Sequence, residues 1–540
     1  MRLALLLLLA MTAATTAQEH RGGTLHMLAQ TAAGSVDPQI NYTAQMWQMF
    51  IMAYDGLVAF RKTSGEAGNE IVPDLADTLP EPTDDGRTYV FHLRPGLRFS
   101  DGSPVRPADA AASLRRIFRV SSPTAGSFYG AIEGADACLA NPATCTLPGV
   151  QADEPAGTVT IHLSRPDPEL LLKLALPHAS IVPEASPGHD AGTAPLPGTG
   201  PYRIDGYDPA QSLHMVRNPF FHAWNADAQP DGFPDVIEER FGLEDEAEVT
   251  QVENGQADWM FDTPPSDRLG ELGGQFAGQV HLNPALAIWL MPLNVNEPPF
   301  NDIRVRRAFN FALDRRALAK LFGGPRLATP TCQTLPPRLP GYAPYCPYTR
   351  NPGPAWSAPD PAQARALVAA SGTAGQRVTL VTDTSTIQRA IGTYVIGVLR
   401  DLGYDARLRA LSGNVQFTYI QNTDNHVQIS LTTWYSDYPS AFDFLAVLYG
   451  CASLHKGSDS SINMFGLCDP ALDAQMAAAL NTADVDERSR RWAAIDRQVT
   501  DLAPAAVLFN PDYIDVTSRR VQHFTYHDQY HWLPDQSWVQ

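Results

Sequence analysis

The chain is 540 residues long, 44% hydrophobic and 18% charged, a globular balance that excludes an intrinsically disordered or low-complexity protein. Domains average roughly 100–200 residues, so two to four are expected. Against 58 Asp and Glu stand 39 Lys and Arg, for a formal net charge of -19; no basic cluster is present to follow a nucleic-acid backbone, which disfavours that class of partner.

In chain order, Arg2 precedes an apolar run from Leu3 to Met11, and small residues from Thr12 to Ala17 lead into Gln18-Glu19-His20. This reads as a secretory signal peptide over residues 1–17, cleaved after Ala17 or after Ala14. Its apolar run is too short to span a bilayer, which takes about 20 residues, and no cysteine follows it to accept a lipid. The mature chain is expected to be soluble.

Gly23 to Leu28 alternates like a strand, as do Tyr89 to Leu93 after the Asp85-Gly86 turn and Thr158 to Leu163. Asp109 to Arg119 reads as a helix, with Ala112, Leu114, Ile117 and Phe118 forming an apolar stripe. Pro/Gly-rich stretches at Pro183 to Pro201 and Gly323 to Pro361 break the chain, and Pro361 to Ala370 resumes as helix. The mixture indicates an α/β or α+β protein with several sheets. Near the C-terminus, Val521 to Tyr526 alternates like a terminal strand.

Six cysteines form local neighbours: Cys138 with Cys145, Cys332 with Cys346, and Cys451 with Cys468. Pairing is open in principle, but loop closure favours neighbours, so three short-loop disulfides are expected. No Cys-x-x-Cys is present to favour a redox couple or a metal site.

Chemistry-bearing motifs are sparse. There is no Gly-x-Ser-x-Gly elbow, no His-Glu-x-x-His and no Gly-rich phosphate loop. His523, His527 and His531 stand at four-residue spacing, a pattern that fits metal ligation less well than packing of an aromatic-rich tail. No catalytic residue, metal site or cofactor is assigned.

An ordered set of short motifs carries a resemblance. They are Arg21-Gly22-Gly23-Thr24-Leu25, Val36-Asp37-Pro38, Tyr54-Asp55-Gly56-Leu57-Val58 and Pro73-Asp74-Leu75-Ala76-Asp77. The block from Asp84 to Gly96, running into Phe99-Ser100-Asp101-Gly102-Ser103-Pro104-Val105, is the most diagnostic. Gly198-Thr199-Gly200-Pro201-Tyr202, Arg217-Asn218-Pro219 and Pro299 to Ala308 follow. In this order the chain resembles the family 5 extracellular solute-binding proteins, the dipeptide/oligopeptide-binding class that serves ABC importers.

The resemblance implies a non-enzymatic, periplasmic, monomeric binding protein that delivers a peptide or small polar ligand to an inner-membrane permease/ATPase complex; the alternatives are an exported hydrolase of peptides or glycans, or a ligand sensor or peptide chaperone on the same fold. It implies a bilobed periplasmic-binding-protein-like fold, type II and cluster C, with a subdomain inserted in lobe one. Lobe one would comprise 21–55, 183–285 and 505–540, the insert 56–182, and lobe two 286–504, with hinge crossings near Leu286 to Asn294 and Leu502 to Asn510. Thr433-Trp434-Tyr435-Ser436-Asp437-Tyr438-Pro439 is similar to the family's Trp-x-x-Asp-Tyr segment, which assigns Asp437 to a ligand α-ammonium and Trp434 and Tyr435 to its flanks. The local alternative for Asp437 is a turn cap on the backbone. Phe128, Tyr129, Thr199 and Gln388 are further cleft candidates by the same resemblance. Val415 to Thr433 contains no Lys or Arg, so the basic clamp that relatives selecting short peptides use for a terminal carboxylate is not visible. Longer peptides, or ligands without a carboxylate such as amines, sugars or metal chelates, stay open.

Overall fold

The computed structural model describes residues 20–540; the leader expected over 1–17 lies outside the described residues. Its first sheet orders the strands Trp259–Met260, Thr24–Ala29, Val236–Phe241, Ser212–Arg217 and Tyr202–Asp208. Thr24–Ala29 is parallel to both neighbours. A parallel strand is covered on both faces, which is why Leu25, Met27, Leu28 and Ala29 are all buried. The helix Ala44–Ala53 lies beside this sheet, started by Thr43, whose hydroxyl accepts the Met46 N–H.

A second sheet, Asp405–Leu411, Arg377–Asp383 and Ile429–Ser430, is parallel throughout. Parallel neighbours need a crossover, supplied by the helix Thr386–Asp401, which buries Ile387, Ile391, Val395 and Leu399 at four-residue spacing. An antiparallel sheet connects the two bodies. Its long strand Ala505–Val516 pairs with Ala287–Pro292 through its first half and with Val280–Pro284 through its second.

Between residues 56 and 182 the chain builds a small antiparallel sheet of Thr88–His92, Thr158–His162 and Val150–Asp153, with the helix Pro107–Arg119 alongside. The strands and helices expected at 23–28, 89–93, 158–163, 109–119 and 361–370 are present with ends moved by one or two residues. The C-terminal strand differs. Only Val521–Gln522 pairs there, with Trp538–Val539, while Tyr526–His527 pairs with His531–Trp532. His523 adopts φ 62°, which turns the chain out of extended geometry and splits the ribbon.

The motif residues have structural work of their own. Arg116 donates to both oxygens of buried Asp37, at 3.0 and 2.5 Å. The backbone of Gly198 and Gly200 presses on the last turn of Ala44–Ala53: a Cβ at either would lie within 2.4 Å of a carbonyl oxygen of that turn. Cys138–Cys145, Cys332–Cys346 and Cys451–Cys468 are bonded as expected, leaving no free cysteine among the described residues. No helix among the described residues is long and apolar enough to cross a membrane.

Candidate ligand-binding site

In open parallel sheets ligands bind beyond the carboxyl ends of the strands, where loops diverge. Here the carboxyl ends of the first sheet's three parallel strands, Thr24–Ala29, Val236–Phe241 and Trp259–Met260, approach those of the parallel second sheet. Asp262, just past Trp259–Met260, accepts the Gln30 N–H at 2.7 Å and lies close enough to Asp383, the last residue of Arg377–Asp383, for that carboxylate to raise its pKa. A Cβ on Gly413, at the end of the second sheet, would stand 3.1 Å from Thr31 Oγ1.

Further along this seam sits Asp437. It follows Thr432–Tyr435 in a loop closed by Ser436, whose hydroxyl donates to the Tyr438 carbonyl at 2.7 Å. The Asp437 N–H donates to Asp443 Oδ2 at 2.9 Å, and Asp443 lies in the first turn of Ala441–Tyr449, which Ser440 caps. The local cap on this turn is therefore Asp443. Among the described residues no backbone N–H donates to the Asp437 carboxylate; its donor is the Tyr42 hydroxyl.

Asp437 and Asp443 are both buried, and no Lys, Arg or His nitrogen among the described residues lies within 4.0 Å of either. Burial dominates their titration and pushes the Asp437 carboxyl up to about 7. Asp443 is raised well above the ordinary range by burial and by the Asp437 charge beside it. Two adjacent buried carboxyls keep a proton between them because a second negative charge has nothing to neutralise it. An incoming cation would supply that neutralisation.

Tyr42 is held in place from behind. His178 Nε2 donates to the Asn41 carbonyl at 3.0 Å, so its Nδ1 accepts from Thr124 Oγ1 at 2.8 Å; burial lowers this imidazole to about 4, keeping it neutral. Aromatic rings surround the hydroxyl-carboxylate contact: Trp434 meets Tyr42 edge-on at 5.6 Å, and Phe128 meets Tyr42 at 6.4 Å and Tyr438 at 5.7 Å. Nearby, Ser440 Oγ donates to Glu169 Oε1 at 2.5 Å, tying the inserted region to the same loop.

Asp437, Trp434 and Phe128 thus meet in one place. Tyr129 follows Phe128 and is fully buried, donating to the Lys173 carbonyl at 3.0 Å. Tyr435 points to the opposite face of its strand from Trp434 and stacks on Tyr513 at 5.3 Å. Thr199 donates to Asp55 Oδ2 at 2.6 Å in a buried network that includes Gln229 and Lys62. Gln388 Nε2 donates to Asp383 Oδ2 at 2.6 Å and so belongs to the other end of the seam. The three tail histidines diverge: His523 lies against Trp538, His527 bonds the Arg61 carbonyl, and His531 meets Asp515 Oδ1 at 2.7 Å. Tyr42, Asp443, His178 and Glu169 carry no sequence pattern and were not anticipated.

Two sheets opposed at their carboxyl ends, with buried carboxyls and aromatic rings between them, define a binding protein of the two-body clamp type. The model for family 5 of the bacterial extracellular solute-binding proteins matches residues 70–455, and the chain belongs to that family. It is 27% identical over 461 residues to the periplasmic oligopeptide-binding protein OppA of Salmonella typhimurium, covering 81% of this chain and 78% of that one. To the glutathione-binding protein GsiB of Salmonella paratyphi A it is 26% identical, covering 76% and 75%. The Escherichia coli murein tripeptide binding protein MppA superposes with a TM-score of 0.80 at 23% identity, over 96% and 98% of the chains. The unliganded open form of MppA reaches only 0.61 over 96% of this chain and 97% of that one. In this chain Tyr42–Asp437 and Ser440–Glu169 make contacts across the seam.

Proposed function

We propose that this chain is the exported, soluble binding component of an ABC importer, which encloses a peptide or related amine-bearing solute and presents it to a membrane permease. Lobe one would be 21–55, 183–285 and 505–540 with the insert 56–182, and lobe two 286–504. The paired strands Val280–Pro284, Ala287–Pro292 and Ala505–Val516 would flex where they pass between lobes. The observation that carries the reading is the buried Asp437–Asp443 pair, which has no cation beside it among the described residues and lies under a tyrosine from the opposite side of the seam.

Asp437 would accept the ligand ammonium, and Trp434, Phe128 and Tyr42 would shape the space next to it. Closure removes water from the carboxylate, so a ligand that fails to supply positive charge leaves the pair uncompensated. Relatives named for oligopeptides and for glutathione bind solutes with a free amine, which supports the same chemistry here. Mass spectrometry of solute retained through native purification tests the proposal, with small-angle scattering on the stripped and refilled protein. An amine-bearing solute, released unaltered, and a smaller radius of gyration when it is added are expected. A retained solute without an amine, or a chemically changed one, would overturn it.

A further inference from the structure

The far end of the seam holds a second group of carboxylates that the ammonium site does not use. Glu239 is on Val236–Phe241, Glu248 is in the first turn of the helix Asp245–Glu253, and Asp262 follows Trp259–Met260. Glu239 and Glu248 are completely buried, and all four of their carboxylate oxygens lack a hydrogen-bond partner. Asp262 is only partly buried and stands at the rim.

The Gln30 N–H donates to Asp262, but no positive charge of the described residues stands beside this group. Among the described residues no Lys, Arg or His nitrogen lies within 4.0 Å of any of the three. The Gln45 amide, which donates to the Thr31 carbonyl at 3.2 Å, is a neutral neighbour that holds the Glu239 carboxyl down in part. From across the seam comes Asp383, a further carboxylate. Burial raises Glu239 to about 8 and Glu248 to about 10, with Asp262 adding to both. Buried acids with unfilled oxygens are costly unless something else bonds them, and a fold that needed only packing here would do better with apolar side chains.

We infer that Glu239, Glu248 and Asp262 form a second cation subsite at the carboxyl end of the first sheet, so that the solute enclosed by this chain carries two separated positive groups. The inference rests on the reading of Asp437 as the ammonium site. Asp262, at the rim, meets the second group first as the sheets part, and Glu239 and Glu248 surround it once they close. The second cation would be a lysine or arginine side chain of a peptide, or the distal amine of a polyamine; the chemistry recognised is the same.

Calorimetry on ligand-stripped protein tests this with short alanine peptides carrying one lysine at each position in turn, the same peptides with norleucine in place of lysine, and spermidine. At least one lysine peptide should bind about tenfold or more tighter than its norleucine counterpart. Asp262→Asn and Glu239→Gln should erase that preference, whereas Asp437→Asn should weaken lysine and norleucine peptides alike. Tight binding of spermidine with weak binding of every peptide would make the solute a polyamine and uphold the subsite. Equal binding of lysine and norleucine peptides, or a preference that survives Asp262→Asn, would overturn it while leaving the Asp437 reading intact. Failure of every peptide and of spermidine to bind would overturn both. Asp262 is at the rim, so its variant keeps the test decisive should Glu239→Gln fail to fold.

Discussion

Tyr42 and Asp437, 395 positions apart in the chain, meet hydroxyl to carboxylate. The tyrosine comes from the loop that follows the first sheet's Thr24–Ala29 strand, and the aspartate from the loop that follows Thr432–Tyr435. Each end is prepared by its own surroundings: neutral His178 holds the backbone beside Tyr42, and Asp443 holds the Asp437 N–H. Tyr42 donates where, on the proposed reading, a ligand ammonium would also donate, so the proposed binding step would exchange one donor for another.

Asp437→Asn keeps the shape and removes the charge. Binding of the purified solute should weaken by about 2–5 kcal/mol, since a buried ammonium loses its counter-ion. Melting of the unliganded protein should hold or rise, because a desolvated carboxyl is replaced by a neutral amide. A variant that binds normally but melts much lower would mean that Asp437 serves the fold alone.

Asp443→Asn separates the two acids. The asparagine oxygen can still accept the Asp437 N–H, but the acid proton that Asp443 shares with Asp437, and that holds the Asp437 carboxyl down, is gone. Asp437 should then ionise at higher pH, and the acid limb of the affinity-against-pH curve should move up. Affinity at neutral pH should fall accordingly, because less of Asp437 is charged there. An unmoved acid limb would show that the two carboxyls titrate independently.

Stability without ligand should fall as pH rises. Burial raises Asp437 and Asp496 to about 7 and Glu239 to about 8, all above their unfolded values. A folded state that holds protons more tightly than the unfolded chain is favoured below the unfolded pKa and loses that advantage as pH climbs through the folded pKa. Denaturant titrations should therefore show a loss of about 2–4 kcal/mol between about pH 5 and about pH 8, reduced when the solute is bound. Stability that increases over this range would contradict the protonated state of these buried acids.

Thiol titration of the denatured, unreduced protein should detect essentially no free thiol, because all six cysteines are paired. Replacing Cys451 and Cys468 together by serine opens a crosslink of sequence separation 17 and should cost about 2–4 kcal/mol. Six reactive thiols would show that the bonds do not form in the exported protein.

Local patterning already determined much of this molecule. Alternation located Thr24–Ala29, Thr88–His92 and Thr158–His162, an apolar stripe located Pro107–Arg119, and short cysteine spacings selected the three disulfides, since each depends on interactions between neighbours in the chain. The Trp-x-x-Asp-Tyr segment also brought Asp437 to notice. What tertiary structure alone decided is the company Asp437 keeps. Tyr42 and Glu169 reach that loop from distant segments, His178 braces Tyr42 from behind, and Asp443, though close in sequence, looks like any acid in a helix's first turn. The same holds for the split tail at His523, where a single positive φ outweighs alternation, and for Glu239, Glu248 and Asp262. Each is an ordinary surface-type residue in the sequence. They become a cluster of acids with no cation beside them only because parallel strands from separate parts of the chain end side by side, and a side chain's cost depends on the solvent and charges around it rather than on its neighbours in sequence.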